Sequence, residues 1–193
     1  MKKIYKGQPG YMRSRKLKLG FASLSGFLLM AIIFIIGYAI YQTPKNYFTI
    51  PAVIVVLPTA KVFVQYLMVS WKNNVVPEEF EALSKKVNPL PLYCELVITA
   101  MEKSFEILYL LIDKDENIIA YTQKQEKVDT DKFEKGVTNF LNYYDYDARV
   151  KLYTDLKQFE KKAVYLAGRN SELSEEQLEH VQTVFEKISI MSI

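Results

Sequence analysis

Two apolar runs near the start of the chain leave it few ways to fold in water. From Phe21 to Ile40 the sequence FASLSGFLLMAIIFIIGYAI holds no charged residue. Coiled as a helix, that run spans roughly 30 Å, the thickness of a bilayer's hydrocarbon core. The central helix of a water-soluble domain would show a polar face, and only Ser23, Ser25 and Tyr38 interrupt this one. A cleaved signal sequence has a shorter apolar core followed by a small-x-small site. Here no such site follows, and a second apolar run, Phe48 to Trp71, comes at once. The pair predicts a two-helix transmembrane hairpin within 21–71, with spans at about 21–40 and 48–71.

The second span carries Pro51, Pro58 and Lys61. Pro51 falls near the start of the helix, where a missing N–H costs little, whereas Pro58 removes a mid-span hydrogen bond and predicts a kink. Lys61 is the unusual residue, because a charge near the middle of a bilayer costs about 2.5–3.5 kcal/mol on insertion scales. Pro58, Lys61 and Gln65 are spaced three and four apart, which places them on one helix face as an intramembrane polar seam. Such a seam could meet a partner helix, a lipid headgroup or an ion. The plainer reading is a lysine whose long stem lets it reach the headgroup region.

Charge sets the expected orientation. The first eighteen residues hold Lys2, Lys3, Lys6, Arg13, Arg15, Lys16 and Lys18 and no acid, whereas the turn at 43–47 offers only Lys45. By the positive-inside rule, a basic cytoplasmic tail (1–20) and everything after Trp71 lie in the cytoplasm and the turn lies outside. This is the expected topology of a multi-pass plasma-membrane protein with both termini cytoplasmic. Tyr38, Tyr41, Tyr47 and Phe48 at one boundary, and Tyr66 and Trp71 at the other, suit interfacial anchoring. The net charge of +3 is owed to the basic start, since the remaining residues hold all 22 acids. A broad phosphate-binding surface is therefore not indicated for them.

After the hairpin, 72–193 has the length of one domain. A single cysteine, Cys94, and a single histidine, His180, exclude an internal disulfide and cysteine- or histidine-rich metal clusters. Cys94 lies in an apolar strand and reads as a small buried hydrophobe, and His180 reads as a surface residue. No P-loop, dinucleotide fingerprint, GxSxG elbow or EF-hand loop is present. Pro77-Glu78-Glu79 opens a short helix to about Val87, with Phe80, Leu83 and Val87 on one face. Three strands follow: Leu92 to Met101, Phe105 to Ile112 and Asn117 to Gln123, with a turn expected at Glu102-Lys103-Ser104. FEILYLLI is apolar on both faces, as a central strand should be. A helix from about Thr130 to Tyr143, a strand at Arg149 to Tyr153, and a helix capped by Thr154 or Asp155 and ending near Gly168 come next. Ser174-Glu175-Glu176-Gln177 fits a capping box for a closing helix. The order is α-β-β-β-α-β-α-α, which predicts a cytosolic α+β domain, a mixed sheet with packed helices.

Over Pro77 to Tyr153 that order resembles the common core of the restriction-endonuclease-like fold. The resemblance implies an acid near the second strand and an acid-x-Lys on the third, a pair of acids holding a divalent metal while the lysine assists a water. Asp113, Asp115 and Glu116 stand at and after the end of the second strand. The third strand and its continuation, NIIAYTQK, carry no acid-x-Lys: Thr122 stands in the acid's place, Lys124 follows Gln123, and Glu126 is followed directly by Lys127. The resemblance thus implies a degenerate site, without metal or other cofactor. The start KKIYKGQPGYMRSRK, the PTAK of the second span and the cytosolic region also resemble small two-span membrane proteins of Gram-positive anaerobic bacteria.

The leading expectation is a membrane protein that presents a non-enzymatic cytosolic interaction domain. Its partners would be the bilayer and either a protein or further copies of itself. One alternative is a membrane-anchored nuclease-like domain that binds nucleic acid. Another is a transport or ion pathway built from several hairpins around Lys61.

Overall fold

The computed structural model describes residues 5–43, 47–123, 128–170 and 172–192. The chain forms two compact units, one of Met12–Lys72 and one of Asn73–Ile193 together with the residues up to Tyr11.

The first unit consists of two helices, α1 (Tyr11–Tyr41) and α2 (Thr49–Ser70), both long and apolar enough to cross a membrane. α2 keeps the bounds its apolar run implies. α1 begins ten residues before Phe21, directly after Pro9 and Gly10, the latter at φ +85°. The basic residues Arg13, Arg15, Lys16 and Lys18 are therefore helical. α2 continues through Pro58.

The inward faces of this unit mix small residues with larger apolar ones. Ser23, Gly26, Met30, Ile33 and Gly37 on α1 are buried or half-buried, as are Ala52, Val55, Thr59, Val62, Tyr66 and Val69 on α2. Both sets step by alternating threes and fours, the spacing that keeps one seam facing a partner helix. At Gly26 the backbones come so close that a Cβ would meet Thr59 Oγ1 and lie 2.7 Å from its Cγ2. Such close approach is how helices associate when their surroundings are as apolar as they are. The buried hydroxyls are satisfied within their own helices. Ser23 Oγ donates to the Leu19 carbonyl oxygen and Thr59 Oγ1 to that of Val55, each at 2.8 Å. Outward-facing apolar side chains are left bare; Phe21 is 71% exposed and Leu57 73%.

The second unit has the element order that the sequence implies. α3 (Pro77–Lys86), β1 (Leu92–Ala100), β2 (Lys103–Ile112), β3 (Asn117–Tyr121), α4 (Thr130–Asn142), β4 (Arg149–Tyr153), α5 (Leu156–Arg169) and α6 (Glu175–Ile190) follow in turn. The sheet order is β1-β2-β3-β4. β1 to β3 form an antiparallel meander and β4 runs parallel to β3, with α4 as the crossover that a parallel pair requires.

Helices cover both faces of the sheet. On one face Phe133, Val137 and Leu141 of α4 and Val181, Val184 and Ile188 of α6 pack on Ile98, Ile107, Leu110 and Ile118. On the other, Leu83 of α3 and Phe159, Ala163 and Leu166 of α5 pack on Cys94, Leu108, Leu111 and Ile119. A doubly covered β2 explains why its sequence lacks alternation. β1 changes faces midway: Cys94 belongs to the second core and Leu96 to the first. Between them Glu95 adopts φ +56°, which turns the strand over.

The β1–β2 turn falls one residue earlier than expected. Ala100 pairs with Lys103, leaving Met101 and Glu102 as a two-residue loop at φ +46° and +64°. Positive φ at both central positions is the geometry of a hairpin turn that usually recruits Asn-Gly, so its sequence carries no signal here.

Chain ends protect the free edge of β1. The Cys94 N–H donates to the Gly7 carbonyl oxygen and the Thr99 N–H to that of Met191, each at 2.9 Å. Gly7, at φ +86°, lies on the stacked rings of Tyr93 and Phe185, where a Cβ would be 2.7 Å from Phe185 Cζ. Lys6 Nζ donates to the Ser189 and Ser192 carbonyl oxygens at 2.9 and 2.6 Å, closing the C-terminal end of α6. The stretch read as a basic tail thus divides: Lys6 and Gly7 belong to this unit, and Tyr11 onward is helix. At the opposite edge, Glu134 of α4 accepts the Leu152 N–H of β4 at 3.0 Å and pairs with Lys151 at 3.1 Å. The β1 edge is thereby covered at Cys94 and Thr99, and the β4 edge at Leu152.

Candidate functional site

The acids at the end of β2 come together as a turn. Asp113 is 1% exposed. Its Oδ1 accepts the N–H groups of Asp115 and Asn117 at 3.0 and 2.8 Å, and its Oδ2 accepts the Asn117 side-chain amide at 2.8 Å. The Glu116 N–H donates to the Asp113 carbonyl oxygen at 3.2 Å, which closes the loop. This is the use an Asx side chain has when it satisfies the backbone following it. Asp115 is exposed, and Glu116 points elsewhere, with Oε1 at 3.0 Å from His180 Nε2 of α6. The sequence gives His180 no partner, because Glu116 lies 64 residues away and reaches α6 only through the fold. Glu116 takes φ +58° to reach it, and its carbonyl oxygen accepts the Arg149 N–H at 3.1 Å. The cluster therefore locks the β2–β3 turn to β4 and α6. Among the described residues, no three His, Cys, Asp or Glu side chains gather as a metal-binding group. Lys124, Glu126 and Lys127, which bear on the acid-x-Lys comparison, lie outside the described residues, as does Lys45.

Two further carboxylates escape sequence reasoning. Glu95 and Glu106, on adjacent strands, are both buried. Glu95 Oε1 accepts the Val75 N–H at 3.0 Å, and Glu106 Oε1 accepts the Asn73 N–H. The segment leaving α2 is thus tied to the sheet through its backbone. A buried carboxylate that accepts backbone N–H groups stabilises the fold only while those donors are in place.

Cys94 is fully buried, and burial pushes its thiol pKa far above the ordinary value, with Glu95 adding to the effect. Such a thiol is inert as a nucleophile. The rings of Tyr109, Tyr121 and Phe159 pack together, with centroids 6.0 to 6.2 Å apart. Tyr109 also lines a cleft of about 280 Å³ between α3 and α5, rimmed by Glu79, Lys86 and Glu160. Burial, with Glu79 adding to it, raises the Tyr109 hydroxyl to about 12 and shifts Tyr121 in the same direction. At the end of α4 the exposed Tyr143 and the half-buried Phe140 and Tyr144 stand edge to face, and Lys187 Nζ lies 4.6 Å from the centre of the Tyr144 ring.

Within the hairpin, Pro58 and Lys61 are exposed and Gln65 is half-buried, whereas Thr59, almost opposite Lys61 around the helix, carries the contact with Gly26. The seam therefore belongs to the outer surface of the helix pair.

The chain matches no protein-family model, no curated protein and no solved structure.

Proposed function

We propose that the chain is an integral membrane protein whose helical hairpin anchors a cytosolic α+β domain, and that this domain works by interaction rather than catalysis. The carrying observation is the exposure of the apolar helices. A soluble core helix would have its apolar side chains covered, whereas α1 and α2 cover little beyond the seam between them. Side chains such as Phe21, Leu28, Ile35, Ile54 and Leu57 are satisfied only by lipid or by another apolar surface. The basic start of α1 supports an orientation with both termini in the cytoplasm at the plasma membrane.

The non-catalytic reading is supported by how the acids are used. Asp113 spends both oxygens on its own turn, Glu116 reaches His180, and Glu95 and Glu106 hold the segment after α2. A degenerate nuclease-like domain that reads nucleic acid is the second proposal. The mixed sheet with α4 between its parallel strands favours it, and the occupation of Asp113 weighs against it. A multi-hairpin ion pathway is the third, with the outward-facing Lys61 as its motive.

The test is to follow the full-length protein through alkaline carbonate extraction. The detergent-purified protein is then offered single- and double-stranded DNA and RNA with Mg²⁺ or Mn²⁺. Retention in the membrane pellet with neither cleavage nor salt-dependent binding is the expected result. Cleavage abolished by Asp113→Asn would overturn the non-catalytic reading, and binding without cleavage would favour the second proposal. Release into the soluble fraction would overturn the anchor.

A further inference from the structure

The hairpin carries two grooves of different character. One, of about 390 Å³, runs beside Met30, Phe34, Ala52 and Val56 and has no polar or charged side chain beyond Thr49. The other, of about 460 Å³, begins at Lys16 and continues past Gly20, Leu24 and Phe27 to Phe63 and Tyr66 of α2. Its space exists because α1 presents Gly20 and Ser23 there. The Tyr66 ring lies over Gly20, where a Cβ would stand 3.2 Å from it. Phe27 and Phe63, edge to face at 5.4 Å, close the far end.

Length and charge together define an occupant. Lys16 and Phe27 are eleven residues apart, roughly 16 Å along a helix, close to the depth of one leaflet's hydrocarbon. The wall is apolar along that length, since the Ser23 hydroxyl is spent on the Leu19 carbonyl oxygen. At one end Lys16 Nζ is positioned by donating to the Lys72 carbonyl oxygen at 2.6 Å. Arg13, Arg15 and Lys18 lie within the same turns of α1, and the sequence has no acid before Glu78. An ammonium group at the head of a groove one acyl chain deep, in a hairpin without negative charge, complements an amphiphile with an anionic head.

On the reading of the hairpin as a membrane anchor, we propose that this groove is a binding site for one anionic phospholipid of the leaflet on the basic side. One acyl chain lies along Leu17, Leu24 and Phe27, and the phosphate meets Lys16. The second groove, without a cation, takes acyl chains with no choice of headgroup.

The test is native mass spectrometry of the full-length protein in detergent, titrated with dioleoyl phosphatidylglycerol or dioleoyl phosphatidylcholine. One phosphatidylglycerol should be retained with about a tenfold preference. Lys16→Gln should abolish the preference, whereas Lys18→Gln, which removes the same charge from an exposed position, should keep it. Gly20→Leu should displace the lipid by filling the groove, with Leu24→Trp as a second filling variant should the helices separate. Ala31→Leu, in the other groove, should leave the preference intact. Equal retention of the two lipids would overturn the site, and so would equal losses in Lys16→Gln and Lys18→Gln. Resistance to carbonate extraction, measured on the same preparations, separates failure of the site from failure of the anchor.

Discussion

The hairpin and the α+β unit are packed on opposite plans. The α+β unit buries its largest apolar side chains, such as Phe133, Phe159, Leu110 and Ile118, and turns its charges outward except for Glu95, Glu106 and Asp113. The hairpin buries Ser23, Gly37, Ala52 and Thr59, with Met12 and Val69 toward one end, and turns most of its Phe, Leu and Ile outward. In water, removing apolar area from solvent drives packing, at about 25 cal/mol per Å². In lipid that drive is absent between helices, and close backbone contact takes its place. Two packing plans in one chain are what two solvents would produce, and that comparison supports the membrane proposal more than helix length alone.

The comparison can be broken by truncating side chains in both places. Phe159→Ala, at the centre of the second core, should cost about 3–5 kcal/mol in chemical unfolding of the detergent-solubilised protein. Leu57→Ala, on the outer hairpin face, should stay within about 0.5 kcal/mol. A large loss at Leu57 would mean that a protein surface covers it. Asp113→Ala should cost about 2–3 kcal/mol, because buried donors in the β2–β3 turn lose their acceptor.

Alkaline pH sharpens the same contrast. Tyr93 and Tyr109 are raised from 10.0 to about 12, in each case by burial first, with Glu186 and Glu79 respectively adding to it. The folded unit therefore keeps these protons through a window in which the unfolded chain releases them. Stability is fully present below pH 10 and declines as pH rises toward 12. Tyr93→Phe should flatten that decline, as read from thermal midpoints across the window.

Glycines give small effects of clear sign. Gly168→Ala, with nothing within 4 Å of the new methyl, should stabilise α5 by about 0.5–1 kcal/mol. Gly136→Ala meets Ala100 Cβ at 2.8 Å and should destabilise despite the same gain in helix propensity.

Local signals made most of the α+β fold legible. The Ser174 capping box forms both of its hydrogen bonds, Asp155 caps α5, and β4 has the bounds read from RVKLY. These features depend on neighbours a few residues away in the chain. The illegible features depend on distant partners. Nothing near Glu95 or Glu106 announces that each will hold the backbone after α2, and Lys6 meets its carbonyl partners 183 and 186 residues away. The Asp113 cluster could be located from the sequence, but its role as a turn lock required seeing which N–H groups its oxygens face.

The membrane anchor is tested most directly by cysteine accessibility in intact cells. The native Cys94 is buried and inert, so a new cysteine reports alone. Gln42→Cys, in the turn after α1, should react with an impermeant maleimide added outside. Glu102→Cys, in the β1–β2 turn, should react only after the cells are permeabilised. Equal labelling of the two in intact cells, or the reverse pattern, would contradict a hairpin that crosses the membrane and returns.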